Sequence, residues 1–354
     1  MKEKNNLLVF IAITFSLSIL LSLLIGFTGG HESKFIWLQF ASMSIPAIAV
    51  LIMNNLSKAP IQEIVWNKLP VYWLLLALLL MPVTIHIICL PLIYLLNHGA
   101  FPWQSWLTTK KEGLYISPNG FGWGTLTSSG LAFKIFTNAI TGVVIVSALA
   151  FLEEIGWRGW MLPRLIKQFD VKKGIFIGSL IWALWHVPFM LSGILYLKAV
   201  PVYLISFTNP FGIFGAGLVI SWLWTKTKSI WVVSIAHGAL NNWGQYAFKY
   251  MQDSETNLQS QQIWLSVGVN GSLLVLGLII FIAMKDTYGN NKTTANKSIA
   301  ASGANNNIQL KFKRNNNDIS KIVTTSNLCR PWPIGNYQFK GSEYQFKNII
   351  DCLV

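Results

Sequence analysis

The sequence is poor in charged residues. Asp, Glu, Lys and Arg make up 11% of its 354 residues, whereas hydrophobic residues make up 53%. Soluble proteins usually carry roughly 25% charged residues. The scarcity excludes an ordinary soluble domain and indicates an integral membrane protein. Cysteine is also scarce: the number and spacing of Cys89, Cys329 and Cys352 exclude a disulfide framework and a cysteine-based metal site.

Acidic residues are scarcer than basic ones. The chain has 13 Asp and Glu against 27 Lys and Arg, which gives a net charge of +14. Most of the basic residues lie beside apolar runs or in the C-terminal segment. Such positions are typical of topology determinants and of contacts with anionic lipid. We therefore predict a lipid bilayer as the partner of the chain, and no nucleic acid.

Long apolar runs predict the fold class. Crossing roughly 30 Å of hydrocarbon takes about 20 apolar residues. Eight runs meet this length, at about 7–27, 35–56, 71–96, 131–152, 174–197, 200–224, 230–250 and 262–284. They predict an all-α, polytopic membrane protein with about eight transmembrane helices. Lys and Arg are denser in the segments on the N-terminal side of the membrane, so the positive-inside rule places both termini in the cytoplasm.

Changes in composition predict four regions. Residues 1–130 hold three spans and a loop after residue 98, rich in Gly, Trp and Pro, which we expect at the outer interface as a re-entrant or surface segment. Residues 131–250 are predicted to form the core that carries the chemistry, and 251–284 the last span. Residues 285–354 are rich in Asn and Lys, a composition that cannot bury an apolar core. We predict a disordered tail there.

Two adjacent carboxylates, Glu153 and Glu154, follow the fourth apolar run. A charged group within hydrocarbon costs roughly 2.5–3.5 kcal/mol on insertion scales and is a functional residue by default. Arg158 lies four residues after Glu154, so the two share a helix face and can form a structural ion pair. Glu153 points about 100° away and is left free for chemistry. The alternative interpretation is an interfacial cap at a helix end, where charges reach water.

Three more polar residues interrupt later apolar runs. His186 lies about 12 residues into the fifth run and is followed by Pro188, which predicts a distorted helix with freed backbone groups. His237 and Asn241 are four residues apart and therefore share a helix face. On the predicted topology, Glu153, His186 and His237 face a polar catalytic cavity that opens to the cytoplasmic side. The alternatives are a histidine hydrogen-bonded to a neighbouring helix and a polar packing seam.

These side chains suit the hydrolysis of a peptide bond by activated water. Glu153 can accept a proton from water, and His186 can hold that water or share the proton. His237 and Asn241 can donate hydrogen bonds to a developing oxyanion. No Ser or Cys stands beside a base in a recognisable nucleophile motif, so a covalent route is less supported. Glu153, His186 and His237 are also candidate zinc ligands, although the HExxH signature is absent.

The three motifs together resemble those of the CAAX prenyl endopeptidase type II and bacteriocin-processing (CPBP, or Abi) family of intramembrane proteases. The Glu-Glu-x-x-x-Arg motif of the family is matched by Glu153, Glu154 and Arg158. Its Phe-x-x-x-His motif is similar to residues 182–186, with Trp182 in place of Phe. Its His-x-x-x-Asn motif is matched at residues 237–241. The similarity covers about residues 130–250, and the order of the motifs agrees.

The resemblance implies an intramembrane endopeptidase in which Glu153 and His186 activate water while His237 and Asn241 stabilise the oxyanion. Its substrate would be a peptide precursor or a membrane protein, and we do not carry prenylation over. Both a metalloprotease and a metal-free glutamate mechanism are proposed for the family, so the cofactor stays open, with zinc as a candidate. Two rival interpretations are a non-proteolytic membrane protein for bacteriocin immunity or scaffolding, and a proton-linked transporter, for which no inverted repeat is visible.

Overall fold

The computed structural model describes residues 2–57, 71–96, 107–110, 113–117, 124–193, 201–250, 258–284, 307–314 and 317–324. The chain divides into two compact units, Met1–Tyr288 and Gly289–Val354. The α-helices of the first unit are α1 (Lys2–Phe27), α2 (Leu38–Ser42), α3 (Ile45–Ser57), α4 (Val71–Leu96), α5 (Ser128–Thr137), α6 (Val143–Glu154), α7 (Leu162–Phe169), α8 (Val171–Leu191), α9 (Val202–Thr227), α10 (Ile230–Tyr250) and α11 (Leu258–Ala283).

Seven helical stretches in the described ranges are long and apolar enough to cross a membrane. They are Asn5–Phe27, Leu38–Leu56, Val71–Leu96, Ser128–Phe169, Val171–Leu191, Val202–Thr227 and Gln262–Ala283. They coincide with seven of the eight predicted runs. The remaining run, 230–250, is helix α10, which lies outside this set and carries the polar residues His237, Asn241 and Asn242. The chain is thus an all-α, multi-pass membrane protein, as predicted.

The fourth span differs most from its prediction. The sequence predicted a span over residues 131–152 with the two carboxylates at its end. Instead, helical backbone runs from Ser128 to Phe169 through α5, a π-helical segment Asn138–Gly142, α6, a second π-helical segment Ile155–Met161 and α7. The interpretation of Glu153 and Glu154 as a cap at a helix end is therefore wrong. The two carboxylates do not need water at a helix end, because Arg158 in the same helical stretch and residues of two other helices bond to them inside the protein.

A short hairpin lies in the segment that was expected at the outer interface. Strand β1 (Leu107–Lys110) pairs antiparallel with β2 (Gly113–Ile116), with Lys110 opposite Gly113. Residues 98–106 and most of 117–123 lie outside the described residues, so the predicted re-entrant or surface placement stays a prediction. The second span also differs in detail, since α2 and α3 are separate helices. Pro46 stands in the first turn of α3, where proline is tolerated because the N–H there has no helical partner.

The second unit contains a hairpin that the prediction of a disordered tail did not anticipate. Strand β3 (Asn307–Arg314) pairs antiparallel with β4 (Asn317–Thr324). Ile308, Leu310 and Phe312 alternate with polar residues in the sequence, which is typical of a strand. Average composition hides such a local pattern. The rest of the predicted tail, 285–306 and 325–354, lies outside the described residues.

Close helix packing encloses α10. It packs against α4, α6 and α9, while α8 packs against α9, α7 and α1. Glycine permits the closest approach: a Cβ on Gly238 of α10 would lie 2.6 Å from the Cα of Ser147 in α6. Small residues at such crossings let two backbones come together in a membrane. The helix that carries His237 is thereby held against the helix that carries Glu154.

Candidate active site

Glu154 is the centre of a buried network of charged groups. The Nη1 atom of Arg158 donates to both carboxylate oxygens of Glu154, at 2.9 and 3.1 Å, and Nδ1 of His237 lies 2.9 Å from Oε1. The side chain of Glu154 is 0% exposed, and those of Arg158 and His237 are 2% exposed. Because a carboxylate only accepts, Nδ1 of His237 carries the hydrogen and donates it. The ring is thereby fixed in orientation, and its Nε2 atom is left for other partners.

The π-helical segment Ile155–Met161 places Arg158 where three helices meet. Single π-turns within α-helices are frequent at functional sites, because they change the direction in which side chains project. From this segment Nη2 of Arg158 donates to the backbone carbonyl of Gly217 in α9, at 3.4 Å. The guanidinium carbon also lies 4.5 Å from the ring centroid of Trp182 in α8. Arg158 therefore joins the fourth span to α8 and α9 as well as to Glu154.

Glu153 is separated from this network although it precedes Glu154 in the chain. Its Oε2 atom accepts a hydrogen bond of 3.2 Å from Nε1 of Trp182, and the residue is 3% exposed. The sequence placed Glu153 outside the ion pair, and the structure does so too. The sequence also left Glu153 without a partner, and here the structure differs. Trp182 stands in place of the Phe of the family motif, and its indole N–H is a donor that Phe lacks.

Both histidines contact the ring of Trp182. Its centroid lies 5.2 Å from the ring centroid of His186 and 5.2 Å from that of His237, with interplanar angles of 85° and 84°. Nδ1 of His186 lies 2.8 Å from the carbonyl oxygen of Trp182, one turn earlier in α8. That carbonyl accepts, so the Nε2 atom of His186 can accept a hydrogen bond from water. Glu153, His186 and His237, which come from three helices, thus meet around one indole.

Asn241 is not brought into this cluster. It follows His237 by one helical turn on α10, but its side chain is exposed and makes no hydrogen bond with the described part of the chain. The two residues are one helical turn apart, about 6 Å along the helix axis, and at this distance one side chain is buried while the other is exposed. The neighbouring Asn242 is buried instead, at 3% exposure, and its Nδ2 donates to the carbonyl of Asn138 at 3.5 Å. That contact ties α10 to the first π-helical segment.

The candidate zinc site at Glu153, His186 and His237 stays a prediction. Within the described ranges, no group of three or more His, Cys, Asp and Glu side chains is arranged to hold a metal ion. Each histidine does have its Nδ1 engaged by an oxygen, as metal-ligating histidines usually do.

Comparison with known proteins agrees with the motifs. Residues 135–243 match the family model of the type II CAAX prenyl endopeptidase Rce1-like proteins. The CAAX prenyl protease 2 of Methanococcus maripaludis is 25% identical over 130 residues, which is 36% of this chain and 47% of that protein. The match thus spans about half the length of this curated relative. All the candidate site residues lie inside the matched range, so the match covers the three motifs.

Proposed function

We propose that this protein is an intramembrane endopeptidase that hydrolyses a peptide bond with water activated by Glu153 and His186. The observation that carries the proposal is the meeting of one buried carboxylate and two imidazoles around the ring of Trp182, inside helices that are otherwise apolar. Buried ionisable groups at membrane depth are costly and mark function by default. These residues lie within 135–243, the range that matches the Rce1-like family model, and this supports peptide hydrolysis as their function.

The geometry supports separate tasks for the side chains. Glu153 takes a proton from a water molecule that the Nε2 atom of His186 holds, and the resulting hydroxide attacks the scissile carbonyl. Glu153 then returns the proton to the leaving amine. A protonated His237 donates from Nε2 to the oxyanion, and the negative charge of Glu154 stabilises the positive ring. Asn241 adds a second donor for a substrate that lies along the exposed face of α10.

A basic end of the helix bundle supports the proposed orientation. Lys172 at the start of α8 lies 5.9 Å from the ring of Phe281 near the end of α11. Lys226 and Lys228 flank the end of α9, which packs against both of those helices. An excess of Lys and Arg marks the cytoplasmic side of membrane proteins. We place this end, both termini and the open side of the active site in the cytoplasm.

The substrate class that follows is a peptide precursor or a membrane protein cleaved near the cytoplasmic surface. The name of the archaeal relative refers to CAAX prenyl proteins, so a farnesylated CAAX peptide is the first probe, and its unprenylated counterpart is the second. Substrates other than CAAX peptides can be found by comparing the protein termini in membranes that contain active enzyme with those in membranes that do not.

The decisive experiment compares Glu153→Gln with Glu32→Gln in purified protein reconstituted into liposomes. The carboxylate of Glu32 is 82% exposed, so its substitution is a matched control for the chemical change. We expect Glu153→Gln to lower kcat by about 10²–10⁴, the usual contribution of a general base, and Glu32→Gln to leave it unchanged. Cleavage by Glu153→Gln at the wild-type rate contradicts the proposal. A protective phenotype that survives both Glu153→Gln and His237→Ala favours a non-proteolytic immunity or scaffolding function.

A further inference from the structure

The indole N–H of Trp182 is the one described hydrogen-bond donor to Glu153. Its Nε1 atom lies 3.2 Å from Oε2, while the nearby cation, Arg158, and the nearby imidazole, His237, both bond to Glu154 instead. Glu153 is 3% exposed, so little bulk water is available to orient its carboxylate. A buried carboxylate with a single fixed donor depends on that donor for its position.

We propose that Trp182 is a positioning residue, which holds the carboxylate of Glu153 in the orientation that the reaction needs. This inference rests on the proposed function. The hydrogen bond engages Oε2, and no other described residue donates to the carboxylate, so Oε1 is left for the reacting water. A general base must lie within hydrogen-bond reach of the proton that it takes, and rotation of the carboxylate away from that position lowers the rate.

The indole is itself held on several sides, which fixes the direction of its N–H. The guanidinium carbon of Arg158 lies 4.5 Å from the ring, and the rings of His186 and His237 meet it nearly at right angles with centroids at 5.2 Å. Trp182 is 2% exposed. Side chains locked by their own packing are the ones that can hold a catalytic group to the necessary precision. The same ring thus fixes the base and borders both imidazoles.

Removal of the N–H alone separates two roles of Trp182. If the indole only packs against its neighbours, kcat should stay unchanged; if its N–H positions Glu153, kcat should fall. Replacement of Trp182 by benzothienylalanine, through an expanded genetic code, exchanges the N–H for sulfur and keeps the shape of the double ring. The matched control is the same replacement at Trp224, which is 1% exposed and whose Nε1 atom has no hydrogen-bond partner in the described ranges. Both proteins are compared with wild type in liposomes, with the farnesylated CAAX peptide or the substrate found by comparison of protein termini.

We expect benzothienylalanine at position 182 to lower kcat about 10- to 100-fold, since a lost charge-assisted hydrogen bond displaces the base. KM should stay within about twofold, because Trp182 holds Glu153 and not the substrate. The control at position 224 should keep both constants. A second readout needs no activity: the NMR signal of the Trp182 indole proton, assigned with Trp182→Phe, should move in Glu153→Ala, while that of Trp224 should not.

Each other result overturns a defined part of the inference. An unchanged kcat at position 182, or an equal fall at position 224, shows that the N–H does not position the base. An indole proton that does not respond to Glu153→Ala refutes the hydrogen bond itself. A wild-type protein that cleaves none of the substrates refutes the proposed function, and the positioning role with it, whereas the NMR comparison still decides whether the bond exists.

Discussion

Removal of Arg158 should destabilise the protein more than any ordinary single substitution. In Arg158→Met the hydrogen bonds from Nη1 to both oxygens of Glu154, at 2.9 and 3.1 Å, and the 3.4 Å contact to the Gly217 carbonyl are lost. Among the described residues, Glu154, at 0% exposure, then keeps His237 as its one side-chain partner. Breaking a buried ion pair by removing one partner costs about 3–5 kcal/mol, because a buried charge is left uncompensated.

Two further variants separate the effect of the positive charge of Arg158 from the effect of its hydrogen-bond geometry. Arg158→Lys keeps the positive charge but cannot hold Glu154 and Gly217 with separate nitrogens, so we expect a loss of about 1–3 kcal/mol. The double variant Glu154→Gln with Arg158→Met removes both charges. It should be less destabilised than the sum of its single variants by at least about 1 kcal/mol, since the two residues are in direct contact.

The assay is unfolding by sodium dodecyl sulfate in mixed micelles, followed by tryptophan fluorescence. The buried indoles of Trp157, Trp160 and Trp182 become exposed on unfolding and report it. A free energy of unfolding for Arg158→Met within about 0.5 kcal/mol of wild type would refute the reasoning, because that is the range of neutral surface substitutions. If the loss of unfolding free energy in the double variant equals the sum of the losses in the two single variants, the ion pair does not couple Glu154 and Arg158.

Three other outcomes follow from the structure. Gly238→Val should destabilise the protein by about 1–3 kcal/mol, measured in the same unfolding assay, because the new Cβ would lie 2.6 Å from the Cα of Ser147. Gly244→Ala on the same helix, where a new Cβ meets nothing within 4 Å, is the neutral control. Deletion of residues 289–354, the second compact unit, should leave kcat on the peptide probe within about twofold, and a larger loss would show that this unit serves the active site. Treatment with 1,10-phenanthroline should leave cleavage unchanged, since in the proposed mechanism Glu153 and His186 activate the water themselves; inhibition that added zinc reverses would show a metal-dependent reaction.

The positions of most helices could be predicted from the sequence. Seven apolar runs correspond to helices of spanning length, because crossing hydrocarbon requires a long apolar segment whatever the neighbours are. The end of the fourth span could not be predicted in this way. Hydropathy falls at Glu153 and Glu154, but the helix continues to Phe169, because Arg158 and His237 supply the partners that water would otherwise provide.

Contacts between helices that are distant in sequence also limited the prediction of the active site. The spacing of Glu154 and Arg158 predicted their contact, because i,i+4 neighbours meet on any helix. Spacing could not predict that Glu154 also holds His237, which follows it by 83 residues, or that Trp182 donates to Glu153 from another helix. For Asn241, shared spacing with His237 predicted a common site, but the side chain is exposed. Packing of the neighbouring helices, which covers His237 and not Asn241, decides such cases.

The sequence by itself determined that this chain is a helical membrane protein with costly polar groups at three places, since both conclusions depend only on local composition and periodicity. It also determined which family those groups resemble. Only the tertiary structure decided how the two adjacent glutamates differ. Glu154 joins Arg158 and His237, and Glu153 faces Trp182, because helices distant in sequence bring different partners to the two carboxylates. A buried charge takes its role from those partners, and the partners are a property of the packed bundle.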